Sequence, residues 1–148
     1  MSLFITRVKQ MDILEKLSTD AENLAQENRW DIQAIKINTQ ILTVDKNNEG
    51  AYARLGRCYM EKKQWLLARE MFLQASNLNP NDRLAKNSLH TIMEKIGDDD
   101  TKLADKIGEL NDYYQALSLF FVYQKKGEKD LAKLAMEQAL KIGKPRRI

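Results

Sequence analysis

The sequence contains few of the residues from which covalent or metal chemistry is built. Its 148 residues include one cysteine and one histidine, whereas a zinc site needs about four ligands. A single cysteine excludes an intrachain disulfide and suits a reducing compartment. The patterns G-x-S-x-G, G-x-G-x-x-G and G-x-x-x-x-G-K-[ST] are also missing. We therefore expect a protein that is not an enzyme and that holds no metal and no cofactor.

Long apolar segments are missing as well. The longest apolar run, Leu117 to Tyr123, spans seven residues and contains Ser118, which is far below the roughly 20 residues of a membrane-spanning helix. The first ten residues, MSLFITRVKQ, show neither the long apolar stretch nor the cleavage site of a signal peptide. The net charge of +3 is mild, and the charged residues are dispersed. These features favour a cytoplasmic protein of one domain.

One stretch, from Glu49 to Asp82, is strongly patterned. Its large and small residues fall as Tyr52-x2-Leu55-Gly56-x2-Tyr59, followed by Ala68-x3-Phe72, Ala75 and Pro80. The pattern resembles the tetratricopeptide repeat, a helix–turn–helix unit of about 34 residues, with Tyr52 where tryptophan is usual. The resemblance implies two antiparallel helices, a polar turn at Lys62-Lys63-Gln64 and an end at Pro80. One such pair cannot bury both of its faces, so neighbouring pairs are expected.

Weaker copies of this pattern lie on both sides. Three counterparts occur 34 positions earlier, at Ala34, Ile41 and Val44, while Asn38 stands at the place of Phe72. Further counterparts occur 64 positions later, at Leu119, Tyr123, Ala132, Met136, Ala139 and Ile142. In the linking segment, Gly97 is expected to end a helix and Asp98 to Asp100 to cap the next one.

The resemblance thus predicts an all-α fold of eight helices. The helices would form four antiparallel pairs, stacked as an α-α superhelix (solenoid) of the tetratricopeptide type. The repeats are expected at about 12–48, 49–82, 83–112 and 113–142. Residues 1–11 form a lead-in for which a helix is one option, and residues 143–148 form a basic tail that frays.

Four conspicuous side chains are interpreted as structural. Cys58 is expected to be a small packed thiol, because no histidine lies near it in the pattern. His90 is expected to pack at the small-residue place of its repeat, because a lone histidine lacks an orienting partner. Trp30 and Trp65 begin second helices and are interpreted as packing anchors.

In the tetratricopeptide family, the first helices of successive pairs line a concave groove that takes peptides or partner helices. The resemblance implies a groove formed by Arg54, Arg57 and Met60 of the second repeat, Asn87 and Thr91 of the third, and Tyr114, Leu117 and Phe121 of the fourth. The arginines would receive acidic side chains and the last three residues apolar anchors. The alternative for those three is that neighbouring helices cover them. The resemblance predicts a non-catalytic adaptor or scaffold that binds a protein or peptide partner.

Three other functions stay open. The apolar fourth repeat could instead form a homo-oligomer. The basic residues Lys141, Lys144, Arg146 and Arg147 could contact nucleic acid, although a solvated tail is the favoured interpretation because no aromatic residue is interleaved with them. The chain could also be the regulatory fragment of a larger protein.

Overall fold

The computed structural model describes residues 2–97 and 101–146, and within them all regular structure is helical. The eight helices are α1 (Ser2–Gln26), α2 (Ile32–Val44), α3 (Glu49–Glu61), α4 (Trp65–Leu78), α5 (Arg83–Ile96), α6 (Leu103–Glu109), α7 (Tyr113–Lys126) and α8 (Lys129–Ile142). The expected all-α class is confirmed. Residues 2–11, expected as a separate lead-in, are the first part of α1. The expected cap at Asp98 to Asp100 and the tail residue Arg147 lie outside the described residues.

Short polar side chains fix where several helices begin. Four of them accept hydrogen bonds from backbone N–H groups of the first turn, at Asp31, Asn48, Asp82 and Asp112. These N–H groups have no partner inside the helix, so the caps replace the bonds that the helix cannot supply. At the other end of α7, Gly127 adopts φ 75° and ψ 15°, a left-handed conformation that glycine takes without strain.

Helices α3 and α4 form the pair that the motif predicts. Tyr52, Leu55 and Tyr59 of α3 are buried, as is Phe72 of α4. The two backbones approach closely at Gly56, where an added Cβ would lie 2.7 Å from two carbons of the Phe72 ring. The alternation of large and small residues in the sequence therefore corresponds to a close-packed seam.

Asn38, the polar residue that stands at the place of Phe72 in the sequence pattern, is buried, and its side-chain amide is hydrogen-bonded at both ends. Its amide Nδ2 donates to the carbonyl of Ala34 at 2.9 Å, and its Oδ1 accepts from Nε of Arg54 at 2.7 Å. The departure from the motif is therefore a hydrogen-bonded contact between α2 and α3. A buried amide with both ends satisfied avoids the cost of an unpaired polar group.

Helix α7 packs against helices that are distant in sequence. Besides its partner α8, it contacts α2 and α4, while α5 packs against α4 and α6 against α8. Three buried or half-buried bonds hold it: Thr39 Oγ1 to the carbonyl of Tyr114 (3.3 Å), Tyr59 Oη to Ser118 Oγ (2.6 Å), and Lys126 Nζ to Glu70 Oε2 (2.7 Å). Stacking between neighbouring pairs does not predict the contact of α2 with α7.

Helix α4 is the central helix of the molecule. It contacts α3, α5 and α7, and eight of its 14 residues are buried. Two of them, Arg69 and Glu70, are charged, and they form an ion pair with Nη2 and Oε1 3.0 Å apart. Burial alone would lower the pKa of Lys126, but the hydrogen bond and the negative charge of Glu70 outweigh it and raise this pKa. The α4–α7 contact therefore contains a charged, hydrogen-bonded cluster.

Candidate functional site

The described part of the chain offers little for metal or nucleophilic chemistry. Within residues 2–97 and 101–146, no cluster of three or more histidine, cysteine, aspartate or glutamate side chains could hold a metal ion. None of the helices in these ranges is both long and apolar enough to cross a bilayer. Cys58 is buried, and burial, followed by the charge of Asp31, raises its pKa to about 12. Its thiol is thus neutral at physiological pH, as expected of a packed cysteine.

The expectation for His90 is wrong. Its side chain is exposed rather than packed, and its Nε2 lies 3.1 Å from Oε1 of Glu94 on the next turn of α5. The physical reason is that α5 packs mainly against α4 and turns this face outward. By contrast, Trp30 and Trp65 do pack against the core. Each also carries a cation over its ring, Arg57 at 5.3 Å and Lys95 at 5.2 Å from the centroids.

The three apolar residues expected at one end of a groove are buried. Tyr114, Leu117 and Phe121 have exposed fractions of 5%, 8% and 8%, because α7 lies against α2 and α4. The expectation that these three residues form an exposed apolar end of the groove is therefore wrong. They belong to the core, as in the alternative that neighbouring helices cover them. A helix that is apolar nearly all round is usually buried, so the composition of residues 113–123 carried this signal.

Arg54 is engaged inside the chain rather than free for a partner. Its Nε donates to Asn38, and its guanidinium lies so close to Gly50 that an added Cβ there would be 2.9 Å from Nη1. Burial lowers the pKa of Arg54, although the charges of Glu22 and Glu49 act in the other direction. Arg54 therefore links α3 to α2 through its bond with Asn38, which makes it a structural residue of the proposed face.

Arg57 is placed differently, because its side chain is 45% exposed. The guanidinium lies over the Trp30 ring, and its Nε donates to Oε1 of Glu61 at 2.9 Å. Met60 is half-buried beside it on α3. We call Trp30, Arg57, Met60 and Glu61 the Arg57 patch. The opposite side of α3 is buried, so the core fixes the position of the helix that carries this patch.

A shallow cavity of about 410 Å³ adjoins the Arg57 patch and shares Trp30 and Glu61 with it. Its other lining residues are Asn28, Arg29, Asp31 and Lys62. Asn28 accepts a 2.8 Å hydrogen bond from the Trp30 indole, which fixes the ring beneath the guanidinium. The cavity contains charges of both signs and therefore suits a polar segment rather than an apolar one.

Asn87 and Thr91 are exposed on α5, where the Thr91 hydroxyl donates to the Asn87 carbonyl at 3.1 Å. They share the outward face of a helix whose inward residues, Ala85 and Ile92, are buried. Four of the residues expected in the groove therefore lie at exposed or half-buried positions on α3 and α5, namely Arg57, Met60, Asn87 and Thr91. The structure places them on α3 and α5, but joins them by no direct contact that is described.

Sequence reasoning missed a pair of carboxyl groups at the starts of α3 and α5. Burial, then the hydrogen bond with Asp82 and its negative charge, raises the pKa of Glu49 to about 7. The same hydrogen bond, ahead of two backbone bonds, lowers the pKa of Asp82. The pKa of Glu49 therefore lies above that of Asp82, so at mildly acidic pH Glu49 holds the proton and Asp82 carries the charge. No local signal reveals this pair, because the two residues are brought together only when α3 and α5 pack around α4.

Comparison of the chain with known protein families and with curated proteins finds no match.

Proposed function

We propose that this chain is a non-catalytic helical-repeat interaction module of the tetratricopeptide type, which binds an acidic segment of a partner protein on the Arg57 patch. The observation that carries the proposal is the position of Arg57, exposed on a firmly packed helix and stacked on Trp30. Arginine and tryptophan are the residues that most often dominate the energy of protein interfaces. A stacked guanidinium is also ordered before the partner arrives, which lowers the entropic cost of binding.

The chemistry of the patch favours a carboxylate as the incoming group. The bond to Glu61 uses Nε of Arg57, so its terminal nitrogens can receive a carboxylate through two parallel bonds. The exposed pair with Glu61 contributes at most about 1 kcal/mol and can exchange with a better partner. Met60 offers an apolar contact beside the charge, and Lys62, on the rim of the adjoining cavity, adds a second cation.

Asn87 and Thr91 extend the proposed surface along α5 with hydrogen-bonding groups. Three other residues, Tyr114, Leu117 and Phe121, do not serve as anchors for the partner, since they are covered by the chain itself. A short acidic segment on so open a surface should bind with about micromolar affinity, roughly −8 kcal/mol. Steering by the exposed charges should make association faster at low salt.

The test is a selection of peptides on the immobilised chain, followed by titration of the best binder against matched variants. Arg57→Ala should weaken binding about tenfold or more, because it removes both the charge and the stacked contact. Lys133→Ala removes one positive charge from an exposed site on α8 and should leave affinity unchanged within about twofold. Arg57→Lys keeps the charge but loses the planar fork, and should fall between the two.

Two results would contradict the proposed function. One is a selected set of peptides without enrichment of aspartate and glutamate. The other is equal binding by the wild-type chain and Arg57→Ala at both low and high salt.

A further inference from the structure

The two turns that precede Trp30 and Trp65 have the same backbone conformation. Asn28 and Lys63, each two residues before a tryptophan, have φ of 56° and 57°. In both turns the N–H of the following residue donates to the carbonyl five residues earlier, from Arg29 to Leu24 at 2.8 Å and from Gln64 to Tyr59 at 2.9 Å. Trp30 and Trp65 therefore occupy corresponding places in the α1–α2 and α3–α4 helix pairs.

A cavity of about 320 Å³ lies beside Trp65, and it is more enclosed than the cavity beside Trp30. We call it the Trp65 cavity. Two of its lining residues are apolar where the residues 35 positions earlier are charged, namely Leu66 for Asp31 and Ile96 for Glu61. Leu67 and Leu110 extend this apolar wall. The Trp65 cavity therefore suits an apolar side chain, whereas its counterpart suits a polar segment.

Gln64, at the edge of the Trp65 cavity, carries an unused hydrogen-bond acceptor. Its Oε1 is buried, and within residues 2–97 and 101–146 it has no hydrogen-bond partner. A buried acceptor without a donor is unfavourable, and a backbone N–H of an entering peptide can supply the bond. A purely hydrocarbon ligand cannot supply it, so this oxygen favours a peptide as the occupant.

The Trp65 cavity is continuous with the site proposed above. The α3–α4 turn separates the two cavities, since Glu61 and Lys62 line the one beside Trp30, and Lys63 and Gln64 line the other. Lys62 and Lys63 are both exposed. A segment that extends from Arg57 across this turn therefore passes two further cations, which attract an acidic chain and repel a basic one.

We propose that the acidic segment bound by the Arg57 patch carries one apolar side chain, which enters the Trp65 cavity. This inference rests on the proposed function and specifies its partner as an acidic peptide with an anchor of the size of leucine or phenylalanine. Pockets for whole small molecules have volumes of about 300–1,000 Å³. The Trp65 cavity, at about 320 Å³, is at the lower end of this range, as a site for a single side chain would be.

The first experiment titrates the full chain with three synthetic peptides of glycine, aspartate and glutamate. They differ only in their central residue, which is leucine, phenylalanine or alanine. The leucine and phenylalanine peptides should bind about tenfold more tightly than the alanine peptide, because the cavity removes their apolar surface from water.

Matched variants separate the cavity from the Arg57 patch. Leu66→Trp fills the cavity and should abolish the preference for leucine, while the alanine peptide binds within about twofold of its wild-type affinity. Leu140→Trp makes the same change at an exposed leucine of α8 and should keep the preference. Arg57→Ala should weaken all three peptides by a similar factor. Circular dichroism checks that each variant is folded.

The second experiment uses the wild-type chain, so it stays decisive if Leu66→Trp does not fold. A photoreactive diazirine analogue of leucine replaces the central residue of the peptide, and mass spectrometry locates the cross-links. We expect them at residues that line the Trp65 cavity, such as Leu66, Ile96 and Leu110. An excess of the leucine peptide should suppress them.

Three outcomes would overturn the inference. One is equal affinity of the wild-type chain for the leucine and alanine peptides, and if Arg57→Ala still weakens both, the proposed function stands without the cavity. Another is cross-linking outside the cavity. The third is binding of octanoate that Leu66→Trp abolishes, without any preference among the peptides, which would assign the cavity to a small amphipathic acid. Unchanged affinities in Arg57→Ala, with the preference for leucine intact, would refute the role of Arg57 and support the cavity.

Discussion

Replacing Gly56 with alanine tests the close approach of α3 and α4. The added Cβ would lie 2.7 Å from Cδ2 and Cε2 and 2.8 Å from Cζ of the Phe72 ring. Ordinary contacts between carbon atoms are about 3.5–4.0 Å, so the ring must move by roughly 1 Å. Phe72 is 2% exposed and has little free space, and overpacking of this kind costs about 1–3 kcal/mol.

An opposing effect must be subtracted from this cost. Alanine is more favourable than glycine inside a helix by about 1 kcal/mol, so the net loss for Gly56→Ala should be about 1 kcal/mol. Gly108 in α6 provides the matched control, since an added Cβ there meets no atom within 4 Å. Gly108→Ala should therefore increase stability by about 0.5–1 kcal/mol. The difference between the two variants isolates the contact with Phe72.

The assay is urea unfolding followed by circular dichroism, with the m-value checked for equality among variants. A loss of 1 kcal/mol corresponds to a decrease in melting temperature of about 3 °C for a chain of this size. Phe72→Leu should relieve the contact, so the double variant should show a coupling free energy of about 1 kcal/mol. If Gly56→Ala is stabilising to the same extent as Gly108→Ala, α3 and α4 are not as close as described, and the reasoning fails.

Three further predictions address the buried charges and the thiol. Glu70→Gln removes the anion bonded to Lys126 and should lower the free energy of unfolding by about 3 kcal/mol. The control, Glu137→Gln, lies in an exposed ion pair on α8 and should change the free energy of unfolding by less than about 1 kcal/mol. Equal effects of the two variants would contradict the buried ion pair. Because the pKa of Glu49 is raised from 4.5 to about 7, the native state binds more protons between these values, so stability should fall as pH rises from 4.5 to 7 and then level off. Unfolding titrations of Glu49→Gln should lack this dependence, and an unchanged slope would refute the assignment. Cys58 should react with a thiol reagent only at the rate of opening of the chain, since it is buried and its pKa is about 12; rapid labelling of the native protein would be inconsistent with this.

The central pair could be predicted from the sequence because its information is local. The spacing of Tyr52, Gly56 and Phe72 specifies which faces meet within one helix–turn–helix unit, and α3, the turn and α4 occur where the pattern places them. Residues 2–11 are harder to predict, because this part of α1 has no buried face and therefore gives no clear signal of where it should pack.

The position of α7 could not be predicted in the same way. The apolar composition around Tyr114 and Leu117 indicates burial on more than one side, but it does not say which helix provides the cover. That choice depends on contacts such as Thr39 with Tyr114, which are 75 residues apart. For the same reason, the exposure of His90 depends on how α5 packs, which is mainly against α4, and not on the sequence around His90.

The candidate site was partly predictable. The repeat register predicts Arg57 and Met60 as groove-facing residues of α3, and both side chains are at least half-accessible. The stacking of Arg57 on Trp30 depends on the packing of α2 beside α3 and has no signature in the register. Arg54 was expected to be equally free, but the partner that engages it, Asn38, departs from the motif, and the departure was the available clue.

The return of α7 to α2 and α4 has a consequence for how the molecule folds and opens. In an open array, each repeat is stabilised by its neighbours, so the ends unravel independently. Here the first and last pairs support each other, so a long loop must close before their contacts form, which slows folding. Backbone amides of α2, α4 and α7 should therefore exchange with deuterium together, in the slowest class. Helix α5, which packs mainly against α4, should open more readily than these three helices and exchange as a separate, faster unit.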